Sequence, residues 1–154
     1  MTAILNMMMK GFLMSLMVLG FLAVDSKAQS GDTKKFAFKI DKRMAKFKTP
    51  TVELSAGRIT IGGAVSGIEV SGGGDGCYTV TVTMYRFTPS GEKIRVNSRS
   101  KRICKQERIP EMVIDRIPRG NYLIELEIDR PIIGAGRLQG ELTLRVQPEK
   151  INLR

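Results

Sequence analysis

The chain carries 154 residues, 42% of them hydrophobic and 26% charged, with a formal charge of +10, two cysteines, and neither histidine nor tryptophan. The apolar share is too high for a disordered chain, and the length suits one ordinary domain rather than two. Without histidine, the commonest general base and metal ligand is missing, so a Ser-His-Asp or Cys-His arrangement cannot be assembled.

Residues 1–28 read as a secretory signal. Lys10 supplies the positive start, residues 11–24 form an uncharged apolar run, and Ser26-Lys27-Ala28 sets small residues at −3 and −1 of a cleavage site. The run of 14 residues is shorter than the ~20 that cross a bilayer, and no later stretch replaces it. The expectation is therefore an exported, soluble chain, periplasmic or extracellular, with no transmembrane segment after processing. The absence of cysteine near the cleavage site disfavours a lipid anchor, and a start at Met9 would give a Met-Lys opening of bacterial style. Cleavage removes Lys10, Lys27 and Asp25 and leaves a charge near +9. The layout expected is a signal peptide over 1–28, a basic N-terminal strand and connector over 29–50, and a β-sandwich domain over 51–154.

The first segment after the leader is basic: Lys34, Lys35, Lys39, Lys42, Arg43, Lys46 and Lys48 stand against Asp41 alone. As a strand, Phe36, Phe38 and Ile40 share an inward face, with Lys35 and Lys39 outward. As a helix, Phe36, Ile40, Met44 and Phe47 form an apolar stripe of the kind that seeks an anionic membrane, but Phe38 falls off it. A first strand followed by a basic, proline-terminated connector is the better fit. Shorter strands are predicted over 58–61, 67–70 and 111–114. The glycines at 72–74 and 76 lack the Gly-Lys-Ser/Thr ending of a phosphate cradle and read as a loop between strands.

The central hairpin can be argued to its register. Tyr78, Val80, Val82 and Met84 form one face of a strand, and Ile94 and Val96 one face of the next. Between them Thr88-Pro89-Ser90-Gly91-Glu92 offers a proline that presets φ and a glycine able to turn left-handed. Pairing Thr88 with Glu92 sets Met84 opposite Val96 and Arg86 opposite Ile94, so the apolar sets share a side. Arg95, Arg99 and Lys101 then line up beside Tyr85, Thr81 and Thr79 on the other. Cys77 falls opposite Ile103, one position from Cys104, and strict alternation would point the two sulfurs to opposite faces; a bulge or an early strand end could bring them together. An oxidising destination favours a Cys77–Cys104 disulfide, stabilising by about 3 kcal/mol on the chain-entropy argument. Arg99, Lys101, Arg102, Lys105 and Arg108 make a second basic cluster near the end of the hairpin.

Residues 112–123, with Ile117-Pro118-Arg119-Gly120-Asn121-Tyr122 at their centre, carry a strand, a Pro-x-Gly-x-Tyr turn and a second strand. This stretch resembles bacterial secreted immunoglobulin-like and fibronectin-type-III-like sandwich domains, in which the corner tyrosine packs inward and ties down the turn; Tyr122 matches that place. The resemblance implies a fold and says almost nothing of ligand. Missing tryptophan departs from the antibody-type core, and the cysteine pair lies within a hairpin rather than between sheets.

Tyr122, Ile124, Leu126 and Ile128 alternate with Leu123, Glu125, Glu127 and Asp129, and the three carboxylates read as surface ion-pairing groups. Gly134, Gly136 and Gly140 miss the Gly-x-Gly-x-x-Gly spacing by one residue. Leu138, Leu142, Leu144 and Val146 then share one parity against Arg137, Gln139, Glu141, Thr143 and Arg145. The fold class expected is all-β: an antiparallel, immunoglobulin-like β-sandwich of about seven strands, a closed or partly open barrel being the alternative.

The function expected is that of an exported, non-catalytic binding or accessory module of the bacterial envelope, with no catalytic set, no metal and no cofactor. Its partner would be a protein or an anionic envelope component captured by the two basic clusters, lipid head groups and acidic glycans ranking ahead of nucleic acid. The alternative is a structural assembly subunit or protein inhibitor that docks through a strand edge.

Overall fold

Leu138, Leu142, Leu144 and Val146 are buried while Arg137, Glu141 and Arg145 are exposed, as their two-residue period requires of a strand with one wet face. The computed structural model describes residues 32–70 and 76–148; the leader and most of the glycine run lie outside them. Nine strands follow one another: β1 Thr33–Asp41, β2 Lys46–Lys48, β3 Val52–Leu54, β4 Gly57–Glu69, β5 Tyr78–Phe87, β6 Lys93–Ile103, β7 Met112–Ile117, β8 Gly120–Ile128 and β9 Arg137–Pro148. They form two antiparallel sheets, β1-β9-β4-β7 and β2-β8-β5-β6, with β3 also pairing β8. The architecture is a β-sandwich and not a barrel. No helix among the described residues is long and apolar enough to cross a membrane.

The count is nine strands rather than about seven, for two physical reasons. β2 and β3 span three residues each, too short to display an alternation. Conversely, the stretches expected at 58–61 and 67–70 are one strand, because Gly62 and Gly63 continue the ladder instead of ending it.

The inner faces meet in one core. Ile40, Ile59, Ile61, Leu138, Leu142 and Leu144 come from one sheet, and Val80, Val82, Met84, Tyr122, Ile124 and Leu126 from the other, all fully buried. Each such side chain removed from water stabilises the fold by about 1.5–3 kcal/mol. Tyr122 is enclosed, and its hydroxyl donates to the carbonyl of Pro118 at 2.6 Å, pinning the β7–β8 turn from inside. Burial raises the phenol's pKa, with Arg86 nearby opposing the rise.

The β5–β6 hairpin departs from its expected register at one residue. Beside the loop, Arg86 pairs with Ile94 and Phe87 with Lys93; Thr88 N–H donates to the Glu92 carbonyl at 2.9 Å, and Gly91 adopts φ 85°. Val96 is then left out as a β-bulge, so Met84 pairs with Asn97 rather than Val96. The one-residue slip carries Tyr78 to Ile103 and brings Cys77 and Cys104 together in a disulfide, their Cα atoms 4.0 Å apart. It also corrects the placement of the basic residues. Arg95 does stand beside Tyr85, but Arg99 pairs with Val82 and Lys101 with Val80, on the core side of the sheet. Ser98, Ser100 and Arg102 take the outer places, where Ser98 and Ser100 bond Thr83 and Thr81 at 2.9 and 2.8 Å. Arg99 and Lys101 remain exposed because β6 is the outermost strand. Inward-pointing charge on an edge is also a device against edge-to-edge pairing.

Candidate functional site

Strand pairing sets the level of every basic residue. Phe47 pairs with Leu126, Leu126 with Val82, and Val82 with Arg99, so β2 and the second half of β6 stand level on opposite edges of one sheet. Three strand spacings of about 4.8 Å put them roughly 14 Å apart. Residues 39–46 and 99–105 therefore sit toward one end of the sandwich, where β1, β4, β6 and β8 finish and β2, β5 and β9 begin, whereas Lys34 and Lys35, opposite Leu144 and Thr143, lie toward the other. They share that end without merging into one patch.

Within the first cluster, four lysines are neutralised locally. Lys34 pairs with Asp32 at 3.3 Å, Lys35 with Glu141 at 3.0 Å, Lys39 with Asp41 at 3.5 Å and Lys48 with Glu125 at 3.4 Å. Lys42, Arg43 and Lys46 have no carboxylate partner among the described residues. The turn that presents them is self-supporting: Asp41 Oδ1 accepts the N–H groups of Arg43 at 2.8 Å and Met44 at 3.2 Å. The Arg43 bond is the main reason the Asp41 carboxyl ionises below its ordinary value. In the second cluster, Lys101 Nζ bonds Glu107 at 2.7 Å and the Arg108 carbonyl at 3.0 Å, fastening the segment after the disulfide. That bond, with the Cys104 N–H, lowers the Glu107 pKa. Arg99 and Arg108 are exposed and make no ion pair among the described residues, while the exposed Lys105 adds its charge to the lowering of the Glu107 pKa.

Two clefts contrast in charge. The β1–β2 turn and the loop before β9 enclose about 470 Å³, lined by Lys39, Lys42, Arg43 and Arg137 against Asp41 and Glu69. Arg137 and Glu69 pair at 2.6 Å, which leaves Lys42 and Arg43 to set the sign of the field. A depression of about 420 Å³ on the outer face of the β1-β9-β4-β7 sheet holds Arg108 and Arg145 against Glu111 and Glu141, so it favours neither sign. An anion is attracted to the first of these and indifferent to the second. Among the described residues, no group of three His, Cys, Asp or Glu side chains could hold a metal ion.

Glu125 and Glu127 of β8 and Asp129 just after it part company. Glu127 is exposed, and Asp129 accepts the Thr79 N–H at 2.9 Å. Glu125 is 6% exposed and accepts a bond from Lys93 at 2.5 Å, with Lys93 also lying 3.8 Å over the Tyr85 ring. Burial works against ionisation of Glu125, but the bond to Lys93 and the charges of Lys93 and Lys48 outweigh it, so its pKa is lowered. A lowered folded-state pKa means a contribution present above the unfolded value of about 4.3 and lost as pH falls through the folded one. Glu125→Gln is expected to cost about 1–3 kcal/mol at pH 7. Urea unfolding should show that deficit shrinking toward pH 3; a deficit that does not change with pH contradicts the pairing.

No family model matches the chain, and no curated protein matches it. Among solved structures, it is similar to the xylan-binding CBM22-1 domain of Paenibacillus barcinonensis, with 14% identity and a TM-score of 0.45, over 79% of this chain and 88% of that one. It is similar to PliG, a periplasmic inhibitor of g-type lysozyme from Aeromonas hydrophila, with 14% identity and a TM-score of 0.41, over 79% and 90%. The Yersinia pseudotuberculosis-derived mitogen shares 10% identity at a TM-score of 0.42, over 80% and 92%. At this level the likenesses carry no argument about what the chain binds.

Proposed function

We propose that the chain is an exported, non-catalytic binding module of the envelope that captures an anionic surface at the cationic end of its sandwich. The observation that carries this reading is Lys42 and Arg43, held on a self-braced turn and making no ion pair among the described residues, with Lys46 close by at the start of β2. Arg99, Lys105 and Arg108 extend the same sign to the far edge of the sheet. The Cys77–Cys104 disulfide supports an oxidising compartment, and the leader read at 1–28 supports the route there. The corner bond from Tyr122 to Pro118 supports the immunoglobulin-like reading of the sandwich.

Retention on phosphatidylglycerol vesicles and on heparin tests the reading. Near an anionic surface each cation contributes about 1 kcal/mol, and salt screens that contribution within a Debye length of about 8–10 Å. The protein is expected to bind at low salt, to elute at physiological salt or above, and to lose at least tenfold in affinity on joint replacement of Lys42, Arg43 and Lys46 by glutamine. Failure to bind either surface at low salt contradicts the proposal. Docking through a strand edge is the second reading, favoured by β1, which is nine residues long and, among the described strands, paired with β9 alone. Oligomers that grow with concentration and ignore salt in light scattering would support it over surface capture.

A further inference from the structure

At the opposite end of the sandwich, the facing edges β6 and β7 part. The gap is a groove of about 370 Å³ lined by Ile94, Val96, Ile114, Ile117, Pro118 and Tyr122, with Arg86 among them. Ile94 and Val96 form an open apolar lip, 47% and 37% exposed. Arg86 faces this groove because its strand partners, Tyr122 and Ile94, belong to the inner face of the sheet. Its Nε is buried and has no hydrogen-bond partner among the described residues, although the side chain as a whole is half-buried; a buried donor left unmet costs about 1–3 kcal/mol. The acid among the lining residues, Asp115, is engaged by Arg58 at 3.2 Å. Arg95 and Arg116 add further positive charge to the rim.

Both edges are irregular where they flank the groove. β6 bulges at Val96, and β7 loses register with β4 over Asp115 and Arg116, with Arg116 held at φ 56°. A left-handed backbone at a residue other than glycine costs about 1 kcal/mol or more and collects at binding sites. These bulges, with the inward charges Arg99 and Lys101 farther along β6, blunt the edge against an added strand. A compact ligand suits the space better than an extended peptide, and the volume falls within the range of roughly 300–1,000 Å³ for small-molecule clefts.

We propose that this groove binds a small organic anion, an apolar body bearing one carboxylate, with Arg86 receiving the carboxylate and Ile94, Val96, Ile114 and Ile117 enclosing the body. The site is independent of the cationic end and of any surface captured there. Octanoate and uncharged octanol serve as probes, followed by amide chemical shifts of the purified protein. Octanoate is expected to shift the amides of Ile94, Val96, Ile114 and Ile117 saturably, and octanol to bind at least tenfold more weakly. Arg86→Met is expected to abolish that preference. The ratio of the two probes is read on the unaltered protein, so the test stands even where the variant does not fold. Absence of saturable shifts at these amides, equal affinity for both probes, or a preference that survives Arg86→Met overturns the proposal.

Discussion

Gly63→Ala is expected to cost about 3 kcal/mol or more, at the upper end of single-substitution effects, while Gly62→Ala next to it stays within about 1 kcal/mol. Gly63 adopts φ +149°, and a Cβ there would lie 2.1 Å from the carbonyl oxygen of Glu141 in the neighbouring strand. Both atoms are backbone or its first branch, so no rotamer change relieves the clash. A Cβ on Gly62 meets nothing closer than the Glu111 side chain at 3.8 Å, an ordinary contact. The difference matters because Gly63 is where β4 changes partner. Ile61 pairs with Met112 of β7, whereas the Gly63 carbonyl accepts the Ile109 N–H at 3.2 Å and Val65 donates to Glu107 at 2.8 Å. The segment after the disulfide is thereby laid along β4 as a continuation of the edge. Urea unfolding of the two variants checks the claim, and equal losses from both would contradict it.

Joint replacement of Cys77 and Cys104 by alanine is expected to lower stability by about 3 kcal/mol, the chain-entropy value for closing a loop of 27 residues. For a domain of this size that corresponds to a fall in Tm of roughly 10 °C. The disulfide closes the end of the hairpin at which β6 has only one neighbour, β5, and it positions the segment in which Lys101 grips Glu107. Faster amide exchange is therefore expected across Arg99–Ile103 side of the hairpin before the Thr88–Glu92 loop loosens. A stability loss under about 1 kcal/mol would show that the β5–β6 ladder holds that end without the covalent link.

The strands that bury one full face were legible in the sequence because burial imposes the two-residue period directly. Leu138, Leu142, Leu144 and Val146, and the Tyr122 to Ile128 row, are buried as their parity demands. The loop at Thr88 to Glu92 was legible through its proline and glycine, and with it the first rungs of the hairpin. The bulge at Val96 was not, since its apolar side chain satisfies the pattern whether or not it pairs. The cysteine offset was its only trace: unbroken pairing could not bring Cys77 to Cys104, so one residue had to be left out. Burial of Glu125 escaped notice because Lys93 and Lys48 reach it from strands distant in sequence. Arg86 escaped for the same reason, its groove being built from edges of two different sheets. The gathering of residues 39–46 and 99–105 at one end depends on topology, which local pattern does not encode.

Capture of anions by charge alone and enclosure of an apolar carboxylate make opposite demands on solvent. Lys42, Arg43 and Lys46 act from an exposed turn, so their contribution fades with salt. Arg86 is half-buried beside apolar side chains, where screening is weaker than at an exposed turn and a single counter-charge counts for more. The two ends can therefore be told apart in one sample by ionic strength.

The most direct test of charge-driven capture is a residue-by-residue map of amide shifts as a heparin oligosaccharide is added at low salt. Shifts are expected at residues 39–46, 99–108 and 134–137 alone, collapsing together as salt is raised. Shifts centred on the other end of the sandwich, or a map that persists unchanged at high salt, would contradict it.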